Sequence, residues 1–150
     1  MKWIARLIIF PFVVIAGEVS AQICRLNVTP VVFGQYNPFL SVSLNATGAI
    51  NIICDSGIPY VIRLNPGQKP EGGFSPRKMR HSLGKYTLGY NLYSNAAGTE
   101  VWGDGTNSTL TVSGIGKGTM DHLIIYGRLP AGQNVGAGSY SDAVTVTAEW

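Results

Sequence analysis

The chain is patterned as a series of short runs in which apolar and polar residues alternate. Alternation with a period of two places one set of side chains on each face of a β-strand, which is typical of a strand buried on one side. Pro30 interrupts the first run, which favours an edge strand or a strand that switches sheets. About seven short strands are predicted, at 26–33, 50–54, 60–64, 86–92, 109–113, 144–150 and, as a central strand that is apolar on both faces, 123–126.

Glycine and proline mark the ends of these runs. The chain has 19 glycines and 8 prolines, and segments such as Asn65-Pro66-Gly67 and Gly103-Asp104-Gly105 are typical of tight turns. No part of the chain after residue 22 has a sustained apolar stripe at helical spacing. The pattern therefore predicts an all-β fold, an antiparallel sandwich of immunoglobulin-like type, with its longest loop at 65–82.

The first 21 residues carry the three-part pattern of a secretory signal peptide. Lys2 and Arg6 are followed by an uncharged apolar run at 7–17, and Val19-Ser20-Ala21 supplies small or apolar residues before a cleavage site. A retained membrane anchor is the alternative, but a spanning helix needs ~20 apolar residues and this run is shorter. We therefore predict cleavage after Ala21, one exported domain at 22–150, and no stable membrane anchor.

Charge gives little indication of an anionic partner. Removing residues 1–21 leaves nine basic and seven acidic residues, a net charge of +2. Their basic cluster, 77–81, lies in the longest predicted loop. A nucleic-acid surface needs a longer basic stripe with aromatic side chains for stacking. The sequence therefore predicts no nucleic-acid partner, and the cluster is interpreted as a solvated loop.

The two cysteines, Cys24 and Cys54, are the only pair that the chain can form. Export places them in an oxidising compartment, where a disulfide is stable. The alternative is a metal site shared with His81 and His122, but neither histidine lies at zinc-ligand spacing from a cysteine. The sequence predicts a disulfide between the first two strands, and no metal.

The other candidate groups for chemistry are isolated. Asp121 and His122 are neighbours, so on a strand they point to opposite faces and do not form a dyad. The glycine-rich segment 114–119 resembles a phosphate-binding loop, but such a loop must be followed by a helix and 120–129 is predicted to be a strand. We therefore interpret the segment as a hairpin turn, and we expect no cofactor and no enzymatic activity.

Three aromatic residues allow a second interpretation as a binding protein. Trp102, Tyr93 and Tyr36 could form a platform on which a carbohydrate stacks. Aromatic residues of a sandwich lie in the core or in turns more often, and we favour that interpretation.

Six motifs in a fixed order identify a family resemblance. The chain resembles the spore coat protein U domain, which occurs in bacterial spore coat proteins and in subunits of archaic chaperone–usher pili. The resemblance covers essentially the whole chain after the signal peptide. The motifs are Cys24 followed by Val32-Phe33-Gly34-Gln35-Tyr36, then Gly48-Ala49-Ile50-Asn51-Ile52-Ile53-Cys54, Leu88-Gly89-Tyr90-Asn91-Leu92-Tyr93, Val101-Trp102-Gly103-Asp104-Gly105-Thr106, Tyr126-Gly127-Arg128-Leu129-Pro130 and Ala137-Gly138-Ser139-Tyr140-Ser141-Asp142.

The resemblance implies an incomplete immunoglobulin-like sandwich that lacks its final strand. In pilus members a strand donated by a periplasmic chaperone or by a neighbouring subunit completes the fold, and an outer-membrane usher assembles the polymer. The residues agree, because the last alternating run ends at Trp150 and leaves a strand edge that another strand can pair with. We expect the inward-facing side chains of this run to form a donor-strand acceptor groove, namely Val144, Val146, Ala148 and Trp150.

The expected function is therefore a structural or adhesive subunit of a bacterial surface pilus or coat. It would pass through the periplasm and end at the cell surface or in the medium. Only Gln22 and Ile23 precede Cys24 after the predicted cleavage, and two residues span at most ~7 Å, too little for a donor strand. This favours a tip or terminal position. The alternatives are a stand-alone secreted binding module and, third, a small secreted hydrolase.

Overall fold

A computed structural model of the chain describes residues 23–68 and 73–150, so the predicted signal peptide lies outside the described residues. Within them the secondary structure consists of strands, and each strand pairs with its neighbours in antiparallel fashion. The strands are β1 (Cys24–Thr29), β2 (Leu44–Cys54), β3 (Pro59–Leu64), β4 (Arg77–His81), β5 (Thr87–Tyr93), β6 (Val112–Ile115), β7 (Met120–Leu129), β8 (Tyr140–Ser141) and β9 (Val146–Glu149).

The strands form two sheets that pack as a sandwich. The larger sheet has six strands in the order β1-β2-β7-β5-β4-β8, and the smaller has three in the order β6-β3-β9. The predicted all-β immunoglobulin-like class is confirmed, and β7 takes the predicted central position between β2 and β5. The alternating side chains of β2 and β3 fill the core as predicted, with exposed fractions of 0–3% for Ile50, Ile52, Cys54, Tyr60, Ile62 and Leu64.

The predicted disulfide is present and joins the first two strands. Cys24 and Cys54 are directly opposite each other in the β1–β2 register and are covalently bonded. Both side chains are buried. The bond therefore fixes one end of edge strand β1 to the core.

The basic cluster 77–81 is not a solvated loop, and that prediction was wrong. It forms strand β4, with Arg77, Met79 and His81 buried on its inner side. Arg77 is fully buried and donates from Nε to the Asn65 carbonyl (3.1 Å) and from Nη2 to the Trp102 carbonyl (2.7 Å). Burial lowers the pKa of Arg77. A buried arginine is stable here because backbone oxygens satisfy its donors.

The glycine-rich segment 114–119 is not a hairpin turn either. It links β6 in the small sheet to β7 in the large one, so it crosses between the two layers. Gly116 permits this crossing, because a Cβ there would lie 2.2 Å from the Asp55 carbonyl oxygen. Leu110, in the predicted strand 109–113, is 48% exposed and lies before β6, whereas Thr109 is buried.

The chain also changes sheet near its end. Tyr140–Ser141 pairs with β4 at the edge of the large sheet, and Val146–Glu149 pairs with β3 in the small one. Asn65 holds the crossing segment, since its Oδ1 accepts from the Thr145 N–H at 2.9 Å and its N–H donates to the Thr145 carbonyl at 3.1 Å. The final strand is therefore shorter than the predicted run 144–150.

Candidate functional site

A gap, the interstrand cleft, separates the N-terminal segment 24–39 from the C-terminal segment 134–149. Among the described residues, β1 pairs only with β2, and β9 pairs only with β3. Leu26 and Val28 share the inner face of β1 with Cys24, yet they are 38% and 37% exposed. On the opposite side Val144 and Val146 are half-buried. Within residues 23–68 and 73–150, no strand covers these core-facing side chains at the two edges.

The backbone of β9 presents hydrogen-bonding groups to the same cleft. The Asn65 N–H donates to the Thr145 carbonyl, so the polar backbone groups of Thr145 point toward β3. Successive residues of a strand direct these groups to alternate sides. The N–H and C=O groups of Val146 and Ala148 therefore point away from β3, toward the open edge.

Edge strand β1 has the same arrangement on the other wall. The Asp55 N–H donates to the Ile23 carbonyl at 3.3 Å, so the backbone groups of Ile23 point toward β2. By the same alternation, those of Leu26 and Val28 point to the free edge. On each wall, the residues that present apolar side chains inward also present backbone groups to the cleft.

The cleft contains two adjoining cavities. One, of about 280 Å³, is bounded by Val28 on one side and by Val144 and Val146 on the other, and Leu92 and Ile125 lie at its base. The second, of about 790 Å³, extends between 33–39 and 134–140. Phe33 and Met79 line both cavities. The opening therefore continues from the smaller cavity past Phe33 and Met79 into the larger one.

Phe33 stands at the division between the two cavities. Its ring packs edge-on to Tyr90, with 6.1 Å between ring centroids. It also lies against Gly127 of β7, where a Cβ would approach the Phe33 ring to 2.8 Å. Glycine at this inward position lets the segment after β1 cross the sheet at close range. Tyr36 anchors the far end of this segment, since its hydroxyl donates to the Pro130 carbonyl at 3.1 Å.

One polar pair lies in the otherwise apolar wall. Tyr90 donates from its hydroxyl to Asp142 Oδ2 at 2.7 Å, and Asp142 Oδ1 accepts from the Gln68 N–H at 2.9 Å. Burial, together with this hydrogen bond, raises the pKa of Tyr90 above its usual range. Gly67 allows the close approach, because a Cβ there would collide with the Asp142 carboxylate. The pair fixes the C-terminal segment where it crosses between the sheets.

The acceptor groove stays a prediction, and the structure gives the burial of the four residues assigned to it. Val144, Val146 and Ala148 pack against the core, and they alternate with the exposed Thr145 and Thr147. The inward orientation predicted for Trp150 stays a prediction. Its side chain is 57% exposed and follows the last residue of β9, so pairing with β3 no longer fixes its direction.

Sequence reasoning missed the opposite wall of the cleft. Leu26 and Val28 alternate with Cys24, and that signal places them on the core side of β1. Their partial exposure depends on the absence of a neighbouring strand at that edge, which the alternation cannot show. The contribution of Phe33 depends on Gly127 and Tyr90, which are distant in the chain.

The other chemical candidates do not converge. Both ring nitrogens of His81 contact the backbone, Nδ1 accepting from the Leu83 N–H at 3.0 Å and Nε2 lying 3.0 Å from the Ala137 carbonyl oxygen. His122 is exposed beside Asn51 on the other side of β7 from Asp121, as predicted. Within residues 23–68 and 73–150, no group of three or more histidine, cysteine or acidic side chains could hold a metal ion.

The three aromatic residues considered as a carbohydrate platform do not lie together, in line with the favoured interpretation that they are core or turn residues. Trp102 is 1% exposed and donates from Nε1 to the Ile62 carbonyl at 3.1 Å inside the core. Tyr36 lines the cleft, and Tyr93 belongs to the outer face of the large sheet. The three rings therefore form no common surface. No helix in the described part of the chain is long and apolar enough to cross a membrane.

Comparisons with known proteins agree with the motifs and the fold. Protein U of Myxococcus xanthus is 32% identical over 124 residues, which cover 77% of this chain and 68% of that protein. A solved structure of the CsuC–CsuE chaperone–tip adhesion subunit pre-assembly complex, from archaic chaperone–usher Csu pili of Acinetobacter baumannii, is similar with a TM-score of 0.64 and 26% identity. That similarity covers 86% of this chain and 40% of the matched chain, so this chain spans less than half of its length.

The family model for the Spore Coat Protein U domain matches residues 11–147. This range includes all six motifs and eight of the nine strands in full, and it ends within β9. The chain belongs to the Spore Coat Protein U domain family.

Proposed function

We propose that the interstrand cleft receives a β-strand donated by another protein, and that the chain is a subunit of a bacterial surface pilus or coat assembled in this way. The observation that carries the proposal is the partial exposure of Leu26 and Val28 on the core side of β1. Val144 and, in β9, Val146 and Ala148 line the other wall, and within the described part of the chain the outer backbone edge of β9 is unpaired. An added strand would supply both the missing hydrogen bonds and the missing apolar cover.

The magnitudes support a stabilising role for such a strand. Full burial of one branched aliphatic side chain contributes about 1.5–3 kcal/mol. The cleft residues are already half-buried, so the gain comes from their remaining surface and from the donor side chains that fill the cavities. Ordering the donor costs part of this gain. A net gain of several kcal/mol is comparable to the whole stability of a small domain.

The partners follow from the same proposal. We propose that a periplasmic chaperone supplies the strand first and that a neighbouring subunit replaces it at an outer-membrane usher. The related CsuE structure was solved with a chaperone, which supports this order. The chain would then be exported to the periplasm and reach the cell surface. The likeness to a tip subunit favours a terminal position, and immunogold labelling at filament ends rather than along filaments would test it.

The proposal is tested by completing the fold in one polypeptide. Residues 22–150 are expressed alone, and again with an alternating apolar strand fused after Trp150 through a flexible linker. We expect the fusion to be monomeric and to melt about 10 °C higher or more, as several kcal/mol predicts for a domain of this size. Thermal melting and size-exclusion chromatography measure both properties.

Two substitutions on the same strand provide a matched control. Val146→Asp places a charge in the cleft and should abolish the gain from the fused strand. Thr147→Asp adds the same charge on the solvent side and should leave the gain intact. If the bare domain is monomeric, melts cooperatively at high temperature and gains nothing from the fusion, the fold is complete and the proposal is wrong.

A further inference from the structure

A separate cavity lies on the outer face of the six-stranded sheet. It has a volume of about 370 Å³ and is formed by β2, β5, β7 and the turn after β5. Tyr126 and Arg128 alternate along β7 with the buried Ile125 and Leu129, so their side chains point away from the core. This outer-face cavity shares no lining residue with either cavity of the interstrand cleft. Its role is therefore independent of strand addition.

Arg128 is held in a fixed orientation at this cavity. Its Nε donates to Asn45 Oδ1 at 3.2 Å, and its guanidinium lies over the Tyr93 ring, 5.5 Å from the ring centroid. The contact from Nη2 to the Ala97 carbonyl is long, at 3.5 Å. Within the described residues Nη1 has no hydrogen-bond partner and Arg128 forms no ion pair. The terminal nitrogens of an oriented fork are thus available to a ligand.

The remaining walls supply a complementary chemistry. Among the described residues no acidic side chain lines the cavity, and none of them compensates the charge of Arg128 there. Tyr126 contributes a half-exposed aromatic ring, and Asn45 and Thr47 contribute an amide and a hydroxyl. Guanidinium forks bind carboxylates through two parallel hydrogen bonds. Aromatic rings beside amide and hydroxyl groups suit a ligand with an apolar face and polar edges.

We propose that the outer-face cavity binds an acidic sugar, a pyranose ring that carries a carboxylate. The carboxylate accepts two hydrogen bonds from Arg128, and the apolar face of the ring lies on Tyr126. Asn45 and Thr47 bond the sugar hydroxyls. The volume lies in the range of small-molecule sites, which begins at about 300 Å³. Because Arg128 is already oriented, binding needs little ordering of the protein.

The test is a titration of the full chain, purified after export to the periplasm, with three matched probes. D-Glucuronate carries the ring and the carboxylate, D-glucose carries the ring alone, and acetate carries the carboxylate alone. Amide chemical shifts in two-dimensional NMR report both the affinity and the location. We expect saturable shifts for D-glucuronate at Ala46, Gly98 and Gly127. D-Glucose should bind at least about tenfold more weakly because it loses the charge-assisted pair. Acetate should bind at least about tenfold more weakly because it loses the contacts of the ring with Tyr126, Asn45 and Thr47.

Substitutions separate recognition from a purely structural role. Arg128→Lys keeps the charge but loses the fork, and it should weaken D-glucuronate at least about tenfold without changing the weak D-glucose titration. Arg25→Gln is the control: it removes a charge in β1, on the same outer face of the large sheet but far from the cavity. This variant should bind D-glucuronate like the unmodified chain. Because the three-probe comparison uses the unmodified chain, it stands even if the Arg128 variant fails to fold.

Each alternative outcome overturns the proposal. Equal binding of D-glucose would show that the carboxylate is not recognised, and equal binding of acetate would show a simple anion site. Shifts that map elsewhere, or no saturable shift with D-glucuronate, would show that Arg128 only fastens the turn after β5 to the sheet.

Discussion

Tyr60, like Tyr90, is a residue at which the stability of the sandwich should respond to alkaline pH. Burial, and next its hydrogen bond to Asp121 at 2.8 Å, raise the pKa of Tyr60 from 10.0 to about 12. The unfolded chain therefore loses this proton more readily than the folded chain. The stabilisation is fully present below pH 10 and is lost as the pH rises from about 10 to about 12.

We expect the melting temperature to fall as the pH rises from about 10 to about 12. In Tyr60→Phe the melting temperature should fall less steeply with pH. Differential scanning calorimetry at a series of pH values measures it. Tyr86→Phe, at a tyrosine that is 47% exposed, is the control and should leave the fall unchanged. If the melting temperature fell with pH equally steeply in Tyr60→Phe and Tyr86→Phe, the prediction would be contradicted.

Arg77 stabilises backbone groups rather than a carboxylate. Replacing it with methionine keeps an unbranched chain but leaves the carbonyls of Asn65 and Trp102 without their donors. Each unpaired buried acceptor costs about 1–3 kcal/mol, and relief of the buried charge offsets part of this. Arg77→Met should lower the free energy of unfolding by about 2–4 kcal/mol, measured by urea denaturation. Arg80→Met, on the exposed side of the same strand, should change it by less than about 0.5 kcal/mol.

At the level of strands, the sequence predicted those whose inward positions are uniformly apolar. Strands β2 and β3 present Ile50, Ile52, Ile62 and Leu64 at every second position, and alternation alone identifies them. Strand β4 could not be found in this way, because its inward residues include Arg77. That side chain can be buried only where distant backbone oxygens meet its donors, and alternation carries no information about such partners.

The cleft was predicted on one wall only, for a related reason. Alternation set the inward direction of Val144, Val146 and Ala148, and pairing with β3 does not extend it to Trp150 because the strand ends at Glu149. The wall formed by Leu26 and Val28 depends on which strands are neighbours in the sheet. Neighbours are chosen by contacts between residues far apart in sequence, which the local pattern does not contain.

The disulfide between β1 and β2 is expected to contribute to the free energy of unfolding. It closes a loop with a sequence separation of 30 between Cys24 and Cys54. Cys54→Ser should lower the free energy of unfolding by about 2–5 kcal/mol, as found when native disulfides are removed from small exported domains. Urea denaturation measures the loss, and the double variant Cys24→Ser/Cys54→Ser should match it. A single variant as stable as the unmodified chain would show that the pair contributes nothing.

For the whole molecule, the two candidate sites occupy separate surfaces. The interstrand cleft opens between the sheets, whereas the outer-face cavity lies on the solvent side of the large sheet. A subunit joined to its neighbour through the first would keep the second exposed to solvent. Gly127 lies between them, since Phe33 packs on its inner side and its backbone lines the outer cavity.

The directions of the β9 backbone groups predict how the molecule responds to a donated strand. The amide of Thr145 already donates to Asn65 and that of Thr147 is directed at β3, so both should exchange slowly with or without a donor. The amides of Val146 and Ala148 point to the open edge and should exchange rapidly until a donor accepts their hydrogen bonds. Hydrogen–deuterium exchange followed by NMR on the bare and the strand-fused chain measures each amide, and the alternate residues of one strand serve as internal controls. Uniform protection along β9 in both forms would mean that its outer edge is already covered, whereas protection gained at every second amide would establish a strand paired with that edge.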